Sequence, residues 1–240
     1  MKIIAAIPAR YDASRFPGKL LADLYGKPVI QHTYEKVHQS GLFDRVIIVT
    51  DSDEITSVVT GFGGDVIRSQ KEHDCGSDRI AEAVVDIDVD IVINVQGDEP
   101  FIRPEGLSSL IQVFKSDKNK HVDLASLMIP ITEEINNPNV VKVITDLSNR
   151  ALYFSRSAIP HQRIQENHAP VYKHVGVYAF RKNALIDFYE HDITPLEESE
   201  KIEAIRYLEM GKTIQMVETQ FEGVGIDTAE DLERAKKLMT

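Results

Sequence analysis

The chain begins Lys2-Ile3-Ile4-Ala5-Ala6-Ile7-Pro8-Ala9-Arg10-Tyr11-Asp12-Ala13-Ser14-Arg15-Phe16-Pro17-Gly18-Lys19. The run Ile3–Ile7 is short, apolar and uninterrupted, which is the pattern of a strand buried on both faces. It breaks into a loop that carries Arg10, Arg15 and Lys19 and is punctuated by Pro8, Pro17 and Gly18. Open α/β sheets bind ligands just beyond the carboxyl ends of their strands, so cations massed there suit a triphosphate. The loop is not a GxxxxGK[ST] phosphate loop, because the glycines are missing and Leu20 follows the lysine. Side-chain cations, rather than a nest of backbone amides, therefore have to hold most of the phosphate charge.

Outward from this strand, apolar β-branched runs at Arg45–Thr50, Asp65–Arg68 and Ile91–Gln96 alternate with helical patterns at about Val29–Gln39, Glu54–Phe62 and Asp78–Val85. Pro28 sits where a first helical residue is tolerated, and Ser52 or Asp53 is placed to cap the second helix. The rhythm predicts an α/β fold with a mainly parallel sheet and right-handed crossovers. Pro104–Lys118 reads as a further helix and Leu124–Ile129 as a further strand. The rhythm then changes. Val140–Ile144, Leu152–Ser155 and Tyr172–Phe180 are strand-like, and the polar stretch Ile159–Pro170 reads as a mobile loop. This β-rich sub-lobe, at about 130–180, is expected to be an insertion, a lid or a dimer surface. Helices near Lys182–Tyr189 and Leu196–Met210 and a strand at Thr213–Glu218 follow. Thr228 and Asp231 then form a capping box opening a last helix to about Met239.

With 240 residues, the chain fits one large α/β domain. Its net charge of −11 argues against nucleic acid or an anionic membrane as partner, and makes the basic cluster at the start stand out. The one cysteine, Cys75, allows no internal disulfide, which agrees with a reducing cytoplasm. The first apolar run is five residues long and leads into charged loop residues, so no signal peptide is expected.

Three further stretches carry chemistry. In Asn94-Val95-Gln96-Gly97-Asp98-Glu99-Pro100, a buried strand ends in a glycine turn and two acids. Carboxylates at a strand's carboxyl edge suit Mg²⁺, a hard cation that keeps several waters, although Gly-Asp is also common in plain turns. Gly223-Val224-Gly225-Ile226-Asp227-Thr228 offers close backbone approach and an acid that either caps a helix or joins Asp98 in a two-carboxylate site completed by phosphate oxygens. His73-Asp74-Cys75-Gly76-Ser77-Asp78-Arg79 precedes a helix whose free amides, with Ser77 and Arg79, suit a phosphate or base edge as well as a simple cap. No His/Asn arrangement marks Cys75 as a nucleophile. A looser set joins Arg156, His174 and Tyr178 to Glu197, Glu200 and Glu203. It reads either as a solvated helical face or as a pocket in which Arg156 meets a carboxylate and Glu200 accepts sugar hydroxyls.

Taken in order, Ile7-Pro8-Ala9-Arg10, Ser14-Arg15, Pro17-Gly18-Lys19, Asn94 to Pro100, Asn137-Pro138-Asn139-Val140-Val141-Lys142-Val143, Ala151-Leu152-Tyr153-Phe154-Ser155-Arg156, Ile159-Pro160, Lys173 to Tyr178 and Gly225-Ile226-Asp227-Thr228 span nearly the whole chain. The ordered set resembles the 3-deoxy-manno-octulosonate cytidylyltransferases, the CMP-Kdo synthetases. The Asn94–Pro100 and Ala151–Arg156 segments set it apart from acylneuraminate cytidylyltransferases.

The resemblance implies a single nucleotidyltransferase domain over 1–240, with a Rossmann-like fold and a small β-rich dimerisation or lid lobe. It implies the reaction CTP + 3-deoxy-D-manno-octulosonate (Kdo) = CMP-Kdo + diphosphate, a need for Mg²⁺, a homodimer, and a cytoplasmic place in lipopolysaccharide synthesis. By position it implies Arg10, Arg15 and Lys19 for the triphosphate, and Ser77, Arg79 and Gln96 for the nucleotide. It implies Asp98 and Asp227 for the metal, with Lys19, Asp98 and Asp227 as the catalytic group. Arg156, His174, Tyr178 and Glu200 fall to the sugar acid. Two positions depart from the pattern: Lys201 stands where glutamine is usual, and His161 replaces a tryptophan. Both lie toward the sugar side and keep open an 8-amino-Kdo or another nonulosonic acid as the alternative substrate.

Overall fold

A strand with no polar residue on either face must be covered on both sides, and β1 (Ile3–Ala9) lies between two parallel neighbours. The computed structural model describes residues 1–12, 15–71, 73, 75–163, 169–220 and 225–238. In chain order the elements after β1 begin with the short strands β2 (Asp23–Leu24) and β3 (Lys27–Pro28), α1 (Val29–Gln39), β4 (Arg45–Thr50), α2 (Asp53–Gly61) and β5 (Val66–Arg68). They continue with α3 (Gly76–Val84), β6 (Ile91–Asn94), α4 (Pro104–Ser116), β7 (Leu124–Ile131), β8 (Lys142–Thr145), β9 (Ala151–Ser155) and β10 (Val171–Arg181). The last are α5 (Lys182–Glu190), α6 (Pro195–Glu200), α7 (Ala204–Glu209), β11 (Ile214–Glu218) and α8 (Ala229–Leu238). None of these helices is long and apolar enough to cross a membrane.

The chain divides into two compact units, residues 1–107 with 223–240, and residues 108–222. In the first, the strand order is β6-β1-β4-β5 and every pair is parallel. Ala5, Ala6, Ile7, Ile47, Ile48, Val49, Ile91, Val92 and Ile93 are all fully buried, as expected for strands covered on both faces. The Ser52 hydroxyl accepts the Ile55 N–H at 3.1 Å and caps α2. Thr228 and Asp231 form the expected capping box, with the Thr228 N–H donating to Asp231 Oδ2 at 2.9 Å and the Asp231 N–H to Thr228 Oγ1 at 3.2 Å. Parallel strands leave their carboxyl ends together, so Arg10, the turn after β6 and the first turn of α3 share one edge.

In the second unit, β11 pairs with β7 in parallel, while β7–β10, β10–β8 and β8–β9 are antiparallel. The expected β-rich stretch at 130–180 lies inside this unit. Residues 164–168, within the stretch read as a mobile loop, fall outside the described residues, as does the end of the last helix at Met239.

Two features depart from the sequence reading. The hairpin β2–β3 turns through Tyr25 and Gly26, both at positive φ, and its strands are too short to leave a periodic signal. The single helix expected over Leu196–Met210 is two helices, because Lys201 takes a left-handed conformation (φ 53°). The Arg156 guanidinium caps the end of α6, with Nε donating to Glu200 O at 2.7 Å and Nη2 to Lys201 O at 3.3 Å. That partner lies more than forty residues upstream, beyond the reach of helical spacing. Thus Glu197, Glu200 and Glu203 do not share one continuous face. Glu197 is buried against Arg206, with Oε2 2.6 Å from Nε and Oε1 2.7 Å from Nη2.

His174 packs between the rings of Phe154 and Tyr178, at centroid distances of 5.0 and 5.2 Å. Ser126 Oγ lies 2.9 Å from His174 Nε2 and 2.8 Å from Val177 O, beside the β10 bulge between Val175 and Tyr178. The Val175 carbonyl, 3.1 Å away, is a further acceptor for this hydroxyl. Burial pushes the His174 pKa down to about 3, so the ring stays neutral in the fold. The unfolded chain binds a proton there below pH ~6.5 that the folded chain refuses until pH ~3. This contribution to stability is therefore intact above the unfolded value and lost as pH falls across that window. The urea midpoint is expected to drop between pH 7.5 and 4.5, and His174→Gln is expected to flatten that drop while lowering stability at pH 7.5. Equal pH slopes for the two proteins would remove His174 as the cause.

Candidate functional site

At the carboxyl edge of the first unit's sheet, backbone geometry brings Asp98 and Asp227 together. β6 ends at Asn94, the Val95 N–H donates to Ala6 O at 3.0 Å, and the chain turns at Gly97. A side chain at Gly97 would meet Ile30 Cδ1 at 3.0 Å and Pro8 O at 3.2 Å, so only glycine lets the turn pass this close. The buried Thr33 hydroxyl donates to Gly97 O at 2.9 Å and pins the turn from below. From the other end of the chain, the Ile226 N–H donates to Asp98 O at 2.9 Å. Gly225 passes so near Glu99 that an added Cβ would lie 3.2 Å from its Oε1. These contacts make Asp227 a neighbour of Asp98. The other expected role of Asp227, helix cap, belongs instead to Thr228 and Asp231.

The Lys19 ammonium bridges the two carboxylates. It reaches Asp98 Oδ2 in a short ion pair and Asp227 Oδ1 at 2.8 Å. Arg15 Nη2 contacts the other oxygen of Asp227 at 3.0 Å. Burial works against the Lys19 charge, but Asp98 and Asp227 outweigh it and raise its pKa above the ordinary lysine value. Gly18, at φ 70°, starts the turn that aims Lys19, and its N–H donates to Tyr11 O at 2.9 Å. Two carboxylates that reach one common cation have the spacing and hard oxygen donors that suit a divalent ion. Among the described residues no group of three or more His, Cys, Asp or Glu side chains gathers to hold a metal. A cation here would complete its shell with ligand oxygens and water.

Beside this centre lies a pocket of about 140 Å³ lined by Arg10, His73, Cys75, Gly76, Arg79 and Gln96. Ser77 is fully buried in the first turn of α3. Arg79 is committed to Asp51, with Nη1–Oδ1 and Nη2–Oδ2 both 2.8 Å. Burial opposes ionisation of Asp51, yet the guanidinium holds its carboxyl below the usual range. Arg79 thus shapes the pocket wall with its charge already balanced. His73 Nε2 lies 2.8 Å from Glu82 Oε2. The sequence reading missed Asn94: it is fully buried under this wall, its Oδ1 accepts from Gln96 Nε2 at 3.3 Å, and its Nδ2 has no hydrogen-bond partner among the described residues. The available signal was an amide ending an otherwise apolar strand. The reading also missed Asp51, which no spacing ties to Arg79.

In the second unit, Arg156 and Glu200 meet. Glu200 Oε1 accepts from Ser155 Oγ at 2.6 Å and Oε2 from the Arg156 N–H at 2.9 Å. Arg156 Nη1 donates to Pro138 O at 2.9 Å. His174 and Tyr178 form a second, aromatic pair on β10, and both are buried.

A protein-family model described as Cytidylyltransferase matches residues 4–214. The 3-deoxy-manno-octulosonate cytidylyltransferase of Flavobacterium johnsoniae is 58% identical, with 100% of this chain and 99% of that protein covered. Its counterpart from Christiangramia forsetii is 57% identical over 100% of this chain and 97% of its own length. A solved structure of CMP:2-keto-3-deoxy-manno-octonic acid synthetase complexed with CTP superposes with a TM-score of 0.94 at 38% identity, covering 100% of this chain and 98% of that one. With this likeness over its full length, and a carboxylate pair bridged by lysine at the sheet edge, the chain belongs to the 3-deoxy-manno-octulosonate cytidylyltransferase family.

Proposed function

We propose that the chain catalyses CTP + Kdo = CMP-Kdo + diphosphate, and that the product serves lipopolysaccharide synthesis in the cytoplasm. The observation that carries this reading is the convergence of Lys19, Asp98 and Asp227 beside the Arg10–Gln96 pocket. The C2 hydroxyl of the sugar acid attacks the α-phosphorus in line and loses its proton to water. The bond to the bridging oxygen of the β-phosphate breaks, and diphosphate leaves. Both substrates are anions, so the protein's tasks are positioning and charge neutralisation. Arg10 and Arg15 receive the triphosphate, and Lys19 moves from its carboxylates onto the oxygens where charge builds. Ser77, Gln96 and the walls set by Arg79 hold the nucleotide. Mg²⁺ held by Asp98 and Asp227 would supply positive charge to phosphate oxygens and lower the pKa of the attacking hydroxyl.

For the sugar acid, Arg156 faces the carboxylate, Glu200 holds the Arg156 backbone, and His174 and Tyr178 complete the sugar-acid pocket. The relatives named for Kdo favour that acid over the 8-amino alternative. Diphosphate release with CTP, Mg²⁺ and Kdo, run beside UTP and 8-amino-Kdo, tests the assignment. Turnover confined to another nucleotide or acid would replace it. Asp98→Asn is expected to abolish diphosphate release at every Mg²⁺ concentration, and near-normal rates at saturating metal would reject the carboxylate pair as the metal site. Arg156→Ala is expected to raise KM for Kdo by on the order of 100-fold while KM for CTP moves little; the reverse pattern would reassign the residue.

The domain is also proposed to act as a homodimer through its β-rich stretch at about 130–180. Support comes from Leu147 and Leu152, which are 107% and 57% exposed on the β8–β9 hairpin. Light scattering of the double variant Leu147→Glu/Leu152→Glu is expected to report a monomer where the parent is a dimer, and an unchanged mass would move the interface elsewhere.

A further inference from the structure

A lysine with no solvent exposure needs a reason, and Lys142 on β8 is fully buried. Its ammonium makes three contacts, to Asn137 O at 3.0 Å, Val140 O at 2.6 Å and Arg156 O at 2.6 Å. An ammonium has three N–H donors, so all are used, and all on neutral carbonyls. Burial lowers its pKa, with Glu200 opposing and Arg156 adding to the shift.

The three carbonyls are not a random set. Asn137 and Val140 are the ends of the four-residue turn that contains Pro138, whose own carbonyl takes Arg156 Nη1 at 2.9 Å. The Val140 N–H donates to Asn137 O at 3.1 Å, and the Asn139 N–H to Asn137 Oδ1 at 2.9 Å, so Lys142 closes a turn already folded on itself. The third carbonyl belongs to Arg156, whose N–H is held by Glu200. Lys142 therefore grips both the backbone that carries Arg156 and the platform on which its guanidinium rests.

We infer that Lys142 is a positioning residue for the sugar acid, acting through Arg156. It sets the direction in which Arg156 presents its charge, without touching either substrate. This rests on the assignment of Arg156 to the carboxylate of Kdo. Methionine keeps the stem of Lys142 and removes the donors, leaving three buried carbonyls without their common partner.

The test uses the full chain with Lys142→Met, Arg156→Ala and the double variant. Diphosphate release is measured with Kdo and CTP varied in turn, and amide hydrogen exchange is followed without substrates. Lys142→Met is expected to raise KM for Kdo on the order of tenfold or more, to leave KM for CTP within about twofold, and to lose amide protection over residues 137–141 and 155–157. The double variant is expected to be no weaker for Kdo than Arg156→Ala alone, because the lysine acts through the arginine. Should Lys142→Met fail to fold, Lys142→Gln, which keeps two donors, is expected to shift KM for Kdo in the same direction by less. Unchanged KM and protection in a folded variant would overturn the inference, as would penalties that multiply in the double variant. Arg156→Ala without effect on Kdo, beside lost protection in Lys142→Met, would instead overturn the sugar-acid assignment and reduce Lys142 to a structural clamp.

Discussion

Two carboxylates held side by side repel each other, and the first unit keeps Asp98 and Asp227 together by placing the Lys19 ammonium between them. At about 4 Å and an effective dielectric near 20, a pair of unit charges interacts by about 4 kcal/mol, so one shared cation changes the sign of the local balance. The rest of the unit follows from that need. The Gly97 turn must pass within contact of Pro8 O, Gly18 must turn the lysine inward, and Ile226 must hydrogen-bond Asp98. The same arrangement places a cation at the sheet edge of an enzyme that uses CTP, a polyanion.

The second unit uses charge in a different way. Arg156 and Lys142 direct most of their donors at backbone carbonyls, and Glu200 accepts from a hydroxyl and a backbone amide. Charged side chains tied to backbone on several sides cannot swing freely. The unit thus holds a cation in a fixed direction, which suits recognition of a carboxylate better than a mobile lysine would. His174 adds a neutral, buried ring to the same neighbourhood, packed on Phe154 and Tyr178.

Much of the first unit was legible in the sequence because parallel strands buried on both faces leave uninterrupted apolar runs. Arg45–Thr50 and Val29–Gln39 match their observed bounds, β1 ends directly before Arg10, and β6 ends at Asn94, two residues short of the expected Gln96. The pairing of Asp98 with Asp227 was open to inference only as one of two alternatives, because a helix cap and a metal ligand look alike one residue at a time. The break at Lys201 was not legible, since its cause is a capping arginine far upstream. Nor was the engagement of Arg79 by Asp51, which depends on what packs across the sheet edge rather than on spacing. Lys142 read as one letter of a motif, and only its three carbonyl partners reveal what it does.

One consequence concerns how the protein is made. Asp227 enters the first unit from a segment that follows the whole of the second, 129 positions after Asp98 by residue number (227 less 98). While the ribosome is still extending the nascent polypeptide, Lys19 and Asp98 have no third partner and the Asp98 carbonyl lacks its Ile226 donor. Prematurely terminated fragments therefore contain Lys19 and Asp98 but lack the second carboxylate that the lysine bridges to.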